Sequence, residues 1–302
     1  MIRNRLYFTD IELATDCLAG LIRPVAVSAL DPGTRSGAGG KHQPTWFGLE
    51  FMQHQGSIET RGAFNCLATH REDGTLPDAG ITVTAAGRQA RAWAYAASRL
   101  GVQATIFTGS RATDLPRRQA SNVRIIADDV DPVAECARFA TATGAFRIDP
   151  NDDPLVAAGI GAIVAELHTA IPGLETIVVS GSSNAVVAGI VTAAHHFGIR
   201  PVVTTTADNQ GTTPTPGRGE LAGRPALPGQ TPMAAARSIG VGSPQTAAAR
   251  ELLSNRYGLV IGARAAAAFA ALTDSASSAL VAGRACVVLC TAFDADDSDH
   301  PT

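Results

Sequence analysis

Residues 51–65 read Phe51-Met52-Gln53-His54-Gln55-Gly56-Ser57-Ile58-Glu59-Thr60-Arg61-Gly62-Ala63-Phe64-Asn65. Just before them, Trp46-Phe47-Gly48-Leu49-Glu50-Phe51 has the aromatic and apolar content of a strand. Just after, Arg61 to His70 continue as a helix. Glu59 therefore falls at a strand-to-helix turn, the kind of position where open α/β sheets hold ligands.

Upstream, Thr9-Asp10-Ile11-Glu12 opens a stretch in which Ile11, Ala14, Leu18 and Leu21 recur every three or four residues. That spacing predicts an amphipathic helix over 9–21, with Thr9 or Asp10 as N-cap. Asp31-Pro32-Gly33 and residues 36–40 are turn and loop chemistry. Downstream, strand 80–84, the turn Ala85-Ala86-Gly87, a helix from Arg88 to Leu100 and strand 102–107 make a βαβ unit, whose connection is expected to be right-handed.

Further strands are read at 123–126, 177–179, 201–205 and 285–289, and helices at 132–143, 153–171, 185–197, 244–255 and 263–272. Residues 207–232 are dense in Gly, Pro and Thr and read as a long loop, and 294–302 as an acidic, disordered tail. Leu259-Val260-Ile261 reads as a short strand or helix start. Strands alternating with helices predict an α/β protein.

The composition narrows the function classes. A 302-residue chain, 45% hydrophobic and only 5% aromatic, can bury a large core of short side chains. Its net charge of −3 offers no basic field for nucleic acid or anionic lipid, so the expected partner is a small molecule or a protein. No run approaches a membrane span, and Met1-Ile2-Arg3-Asn4-Arg5 is not followed by a signal-like apolar region. Cys17, Cys66, Cys136, Cys286 and Cys290 are scattered and odd in number, which predicts reduced thiols and a cytoplasmic location. His195 and His196 are adjacent in a helix, about 100° apart, so they do not make a metal pair, and no metal site is expected. Asp128-Asp129 and Asp152-Asp153 read as helix caps. There is no dinucleotide fingerprint, Walker loop or nucleophile elbow.

The stretch Ser57-Ile58-Glu59-Thr60-Arg61-Gly62-Ala63 resembles the Ser-Phe-Lys-x-Arg-Gly-Ala segment of the serine/threonine dehydratases, pyridoxal-phosphate enzymes whose lysine forms an imine with the cofactor aldehyde. Ordered matches over 10–20, 80–105, 153–166, 177–199 and 287–290 extend the resemblance over most of the chain. It implies a two-domain, three-layer αβα fold of the tryptophan synthase β-like type, pyridoxal-phosphate fold type II. In it, residues 1–49 with 148–302 form the large domain and 50–147 the small one, with the ligand between them. It also implies pyridoxal phosphate as cofactor and a homodimer.

At the lysine position this chain has Glu59, and among 24 basic residues only Lys41 is a lysine. Guanidinium groups stay protonated and do not form imines. The other matched positions differ too. Where the resemblance puts a Ser-x-Gly-Asn-x-Ala turn whose asparagine meets the cofactor ring, this chain has Ala85-Ala86-Gly87-Arg88-Gln89-Ala90. The expectation is an ion pair between Arg88 and Glu59 filling the ring site; the alternative is that Arg88 reaches solvent. The glycine-rich phosphate loop corresponds to Gly181-Ser182-Ser183-Asn184, which either holds an anion weakly or is a helix capped by its own serine. Cys290 stands where a serine or cysteine meets the pyridine nitrogen, and Phe293 would crowd that ring. A Glu-x-Gly-Ala-Ala segment appears as Gly262-Ala263-Arg264-Ala265-Ala266. Between 205 and 259 the strand-and-helix pattern that the resemblance implies is shortened and partly replaced by the Pro/Gly-rich stretch, which points to a lost element of the large domain.

Three functional readings remain open at this point. The chain is a diverged dehydratase-like protein that binds a small amino acid or anion without Schiff-base chemistry, an active lyase using Glu59 as base with altered cofactor use, or a non-catalytic partner subunit. An acid in a first helical turn is equally explained by the helix dipole.

Overall fold

The structure is a computed structural model that describes residues 6–31, 44–109, 121–128, 131–206, 236–273 and 280–292. Lys41, Phe293, the 207–232 stretch, the turn residues 32–40 and the tail lie outside them.

Helix α1 (Phe8–Leu18) buries Ile11, Ala14 and Leu18, as its spacing predicts. Its N-cap is Tyr7 rather than Thr9 or Asp10, and the Tyr7 N–H donates to the Asp10 carboxylate at 2.8 Å, so Asp10 serves from the third helical position. Strands β1 (Val27–Ala29) and β2 (Thr45–Gly48) are antiparallel. After β2, two short 3₁₀ turns over residues 50–52 and 54–56 lead into helix α2 (Glu59–Glu72).

Next come β3 (Ile81–Thr84), α3 (Gly87–Leu100), β4 (Ala104–Gly109), β5 (Val123–Asp128), α4 (Pro132–Thr143) and β6 (Phe146–Ile148). These strands form a parallel four-stranded sheet in the order β5-β4-β3-β6. Asp131 caps α4, accepting from the Val133 and Ala134 N–H groups, while Asp129 lies outside the described residues.

The chain then runs through α5 (Pro154–Ala170), β7 (Thr176–Ser180), α6 (Asn184–His196), β8 (Arg200–Thr206), β9 (Arg237–Val241), α7 (Ser243–Tyr257), α8 (Ala263–Thr273) and β10 (Ala285–Val288). Strand β10 inserts between β2 and β7, giving a six-stranded sheet in the order β1-β2-β10-β7-β8-β9, parallel except for β1. Between 205 and 259, β9, a strand the sequence reading did not give, extends the parallel sheet, and α7 is the helix read at 244–255. Asp153 caps α5 by accepting from the Leu155 and Val156 N–H groups.

Two apolar cores give this sheet helices on both faces. On one, Ile177, Val179 and Val203 pack with residues of α1, α2, α5 and α6; on the other, Phe47, Val178, Val202 and Val287 pack with α7 and α8. The alternation of 177 and 179 against 178 is the two-residue period of a strand buried on both sides. Helix α2 crosses α5 closely, since a Cβ built on Gly62 would lie 2.5 Å from Val156 Cγ1. That approach carries Glu59, at the start of α2, toward the ends of the large sheet's strands.

Candidate functional site

The segment preceding α2 is tied to the end of β10. The Phe51 N–H donates to Leu289 O at 2.8 Å, Ile58 N–H to Cys290 O at 3.0 Å, and Ala292 N–H to Gly56 O at 2.9 Å. This lacing brings the Glu59 turn to Cys290, whose thiol is pushed up by burial first, then by the charge of Glu50 and then by that of Glu59. The backbone of Ser180 opposes that rise. Glu59, Cys290 and Ser180, at the end of β7, therefore lie near one another.

Glu59 is only 8% exposed. Burial raises its carboxyl to about 7, opposed first by a hydrogen bond from the Gln89 side chain and then by the charge of Arg264. Its Oε2 has no hydrogen-bond partner. The Gln89 amide also donates to Asn151 Oδ1 at 3.1 Å, and Asn151 O accepts from the Ala185 N–H at 2.8 Å. A hydrogen-bonded chain thus runs from Gln89 through Asn151 to the first turn of α6.

The expected Glu59–Arg88 ion pair does not form. Arg88 instead donates from Nε to Ala292 O and from Nη1 to Gln55 O, both at 3.2 Å. Gln55 has φ 60°, in the left-handed region. The physical reason lies in the helix: neighbouring residues of α3 point about 100° apart, so Arg88 faces the 55–56 turn while Gln89 faces Glu59. Arg264, on the first turn of α8, is the cation that Glu59 senses; it is exposed, and no hydrogen bond or ion pair engages it among the described residues.

In the 181–184 turn the backbone donors are largely used internally. The N–H of Gly181 donates to Thr204 O at 2.9 Å, that of Ser182 to Ser180 O at 3.0 Å, and that of Val186 to Ser183 Oγ at 3.2 Å. Ser183 is thus the N-cap of α6, and Asn184 Nδ2 donates to Asp152 Oδ1 at 3.2 Å. A Cβ on Gly181 would lie 2.8 Å from Val203 Cγ1, so packing against β8 accounts for this glycine without a ligand.

The sequence reading missed Gln89 and Asn151. Gln89 sits in a matched turn beside the conspicuous Arg88, and only helix phase distinguishes the two. Asn151 lies between acidic cap residues and carries no local signal. Arg264 stood out as a departure from the matched segment, but its nearness to Glu59 depends on how α8 and α2 are placed. No group of three or more His, Cys, Asp or Glu residues that could hold a metal occurs among the described residues, and no described helix is long and apolar enough to cross a membrane. All five cysteines are free thiols.

Residues 34–291 match the family described as "Pyridoxal-phosphate dependent enzyme". The L-threonine ammonia-lyase of Geobacter sulfurreducens is 30% identical over 155 residues, which cover 50% of this chain and 38% of that protein. The stretches matched span less than half the length of the curated relatives. Among solved structures, maize serine racemase superposes with a TM-score of 0.79 at 19% identity, over 96% of this chain and 95% of that one. A pyridoxal 5'-phosphate-dependent aspartate racemase gives 0.77 at 21% identity, over 97% of each chain. The architecture is that of pyridoxal-phosphate fold type II.

Proposed function

Because this chain belongs to the pyridoxal-phosphate dependent enzyme family, we propose that it is a diverged, serine/threonine dehydratase-like member. In this reading ordinary Schiff-base catalysis is lost and the cleft binds a small amino acid or anion. Residues 50–147 form the smaller domain, 1–49 with 148–302 the larger, and the cleft lies between them. The relatives named for threonine and serine suggest a small hydroxy amino acid as the ligand class.

One observation carries the reading: a buried carboxylate, Glu59, stands in the motif that would supply the imine-forming amine. A carboxylate cannot form that bond, and a lysine there would supply both anchor and base. Two more features weigh the same way. The turn that would cradle a phosphate has spent the N–H groups of Gly181, Ser182, Ala185 and Val186 on protein acceptors. Arg88, far larger than asparagine, spans Gln55 O and Ala292 O beside Gly56. The residues present do not fit covalently held pyridoxal phosphate.

The test is to incubate the protein with pyridoxal phosphate, reduce it with borohydride and measure the intact mass. No added mass is the expected result. A stable adduct on Lys41, the single lysine, would overturn the reading.

A second reading is favoured by the Glu59 carboxyl at about 7, which suits a general base at neutral pH. In it, Glu59 removes a proton from the bound ligand. Exchange of the serine Cα proton in heavy water, followed by NMR and abolished in Glu59→Gln, would support it.

A further inference from the structure

We propose that a cavity on the four-stranded sheet, at the end away from the Glu59 cleft, binds a sugar carrying one anionic group. The inference stands independently of the proposed function.

The two faces of this sheet differ. Ile81, Ala104, Ile106, Val123 and Ile125 face the apolar core shared with α2 and α3. Thr82, Thr105 and Arg124 lie side by side across β3, β4 and β5 on the other face, where Thr82 Oγ1 meets Cys136 Sγ of α4 at 3.3 Å. Parallel sheets are normally apolar on both faces. Here Thr105 and Arg124, with Asp78, Gln103, Ser121 and Phe139, line a cavity of about 730 Å³, in the size range of small-molecule sites. Asp78, Gln103 and Ser121 come just before β3, β4 and β5, so the cavity lies at the N-terminal ends of these strands. Helix α3, which carries Gln89, leaves from the opposite end of β3.

Thr105 marks the cavity as a site. It is only 6% exposed, yet its hydroxyl has no hydrogen-bond partner among the described residues. Buried polar groups are paired in folded proteins, and an unpaired one costs free energy. Valine would fill the same shape without that cost.

Arg124 sets the charge. Its Cζ lies 5.6 Å from the Phe139 ring centroid, and its guanidinium has no hydrogen bond or ion pair among the described residues. A guanidinium placed over a ring keeps its N–H edge for an anion, and that edge matches phosphate or carboxylate with two donors to two oxygens.

The rest of the lining selects the remainder of the ligand. Thr105, Ser121 and Gln103 each offer donor and acceptor, and the Asp78 carboxylate accepts, a set that complements hydroxyl groups. Asp78 also repels a second anionic group. Phe139 is engaged by Arg124 and by the Phe107 ring, each at 5.6 Å, so it does not serve as a stacking platform for a nucleobase. A lipid chain would strip water from Asp78 and Arg124 without replacing it.

The experiment uses the full chain and four probes. D-glucose 6-phosphate and D-gluconate carry both hydroxyls and an anionic group; D-glucose and inorganic phosphate carry one feature each. Thermal shift and calorimetry are expected to show binding of at least one of the first pair, and the stronger of the two assigns the group as phosphate or carboxylate. The second pair should bind at least about tenfold more weakly. Arg124→Gln and Thr105→Val should each weaken the binding about tenfold while staying folded by circular dichroism, since Arg124 is exposed and valine keeps the shape of Thr105. Arg256→Gln, on α7, removes a charge that does not line the cavity and should bind like the wild type. The proposal is overturned if neither sugar anion binds at millimolar concentration or if glucose or phosphate binds as tightly. It is equally overturned if either cavity variant binds like the wild type, or if Arg256→Gln weakens binding as much as Arg124→Gln.

Discussion

Arg61 Nε donates to Glu50 Oε1 at 2.6 Å, with neither side chain meaningfully exposed to solvent. The same guanidinium reaches Glu50 Oε2 at 3.1 Å and the two oxygens of Glu166 at 2.6 and 3.0 Å. Glu166 in turn accepts from the Val25 N–H at 2.7 Å. One cation thus joins the 3₁₀ turn after β2, helix α2, helix α5 and the segment before β1. Arg61 stands two residues from Glu59, but its work is architectural. This explains how the Arg61-Gly62 pair of the motif serves the fold whatever chemistry residue 59 performs.

Arg61→Met is expected to destabilise the protein by about 3–5 kcal/mol, because it strands carboxylates that have lost their partner. Urea unfolding would measure this. A loss below about 1 kcal/mol, the range of exposed pairs, would contradict the structural role.

Glu59 makes stability depend on pH with a definite sign. Its carboxyl lies at about 7 in the folded state against an ordinary 4.5, so the folded chain holds the proton more tightly than the unfolded one. This favourable contribution is complete below 4.5, falls as pH rises toward 7, and is gone above it. The span is on the order of 3 kcal/mol at most. Glu59→Gln mimics the protonated form, so it should be stabilising near pH 8 and close to neutral near pH 4.5. Parallel unfolding curves for the two proteins across that range would refute this.

Glu59→Lys is not expected to restore dehydratase activity. Arg88 still bridges Gln55 O and Ala292 O, Arg264 still faces the site and would repel the new ammonium, and the 181–186 amides remain engaged. Measurable 2-oxobutyrate formed from threonine by the single variant would disprove it.

Ser183→Ala should cost about 1 kcal/mol through loss of the N-cap of α6. The cost should be the same with and without added phosphate. A cost that grows in phosphate would show that the turn holds an anion after all.

The strands that sequence patterning missed all lie at sheet edges, although β5, also at an edge, was readable from Val123, Ile125 and Ile126. β3, β4, β7, β8 and β10 are interior strands with continuous apolar runs, and their positions were readable. β1, β6 and β9 are all edge strands. Arg237-Ser238-Ile239-Gly240-Val241 buries only Ile239 and Val241, so nothing local distinguishes it from the loop chemistry that precedes it. Helices were legible within a few residues because each carries its own apolar period and cap, as at Ser183 and Asp153.

The amino-acid sequence by itself determined the α/β class, the family, the absence of an amine at residue 59 and the serine cap of α6, because each is written in local order or in residue identity. Which cation answers Glu59 was a tertiary matter. Arg88 is closer in sequence, but the phase of α3 turns it to the 55–56 carbonyls and brings Gln89 round instead. Arg264, some two hundred residues along the chain, arrives because α8 packs on the sheet whose last strand is laced to the Glu59 turn. Electrostatics acts through space, and only the packing of α2, α3 and α8 says which charges share one.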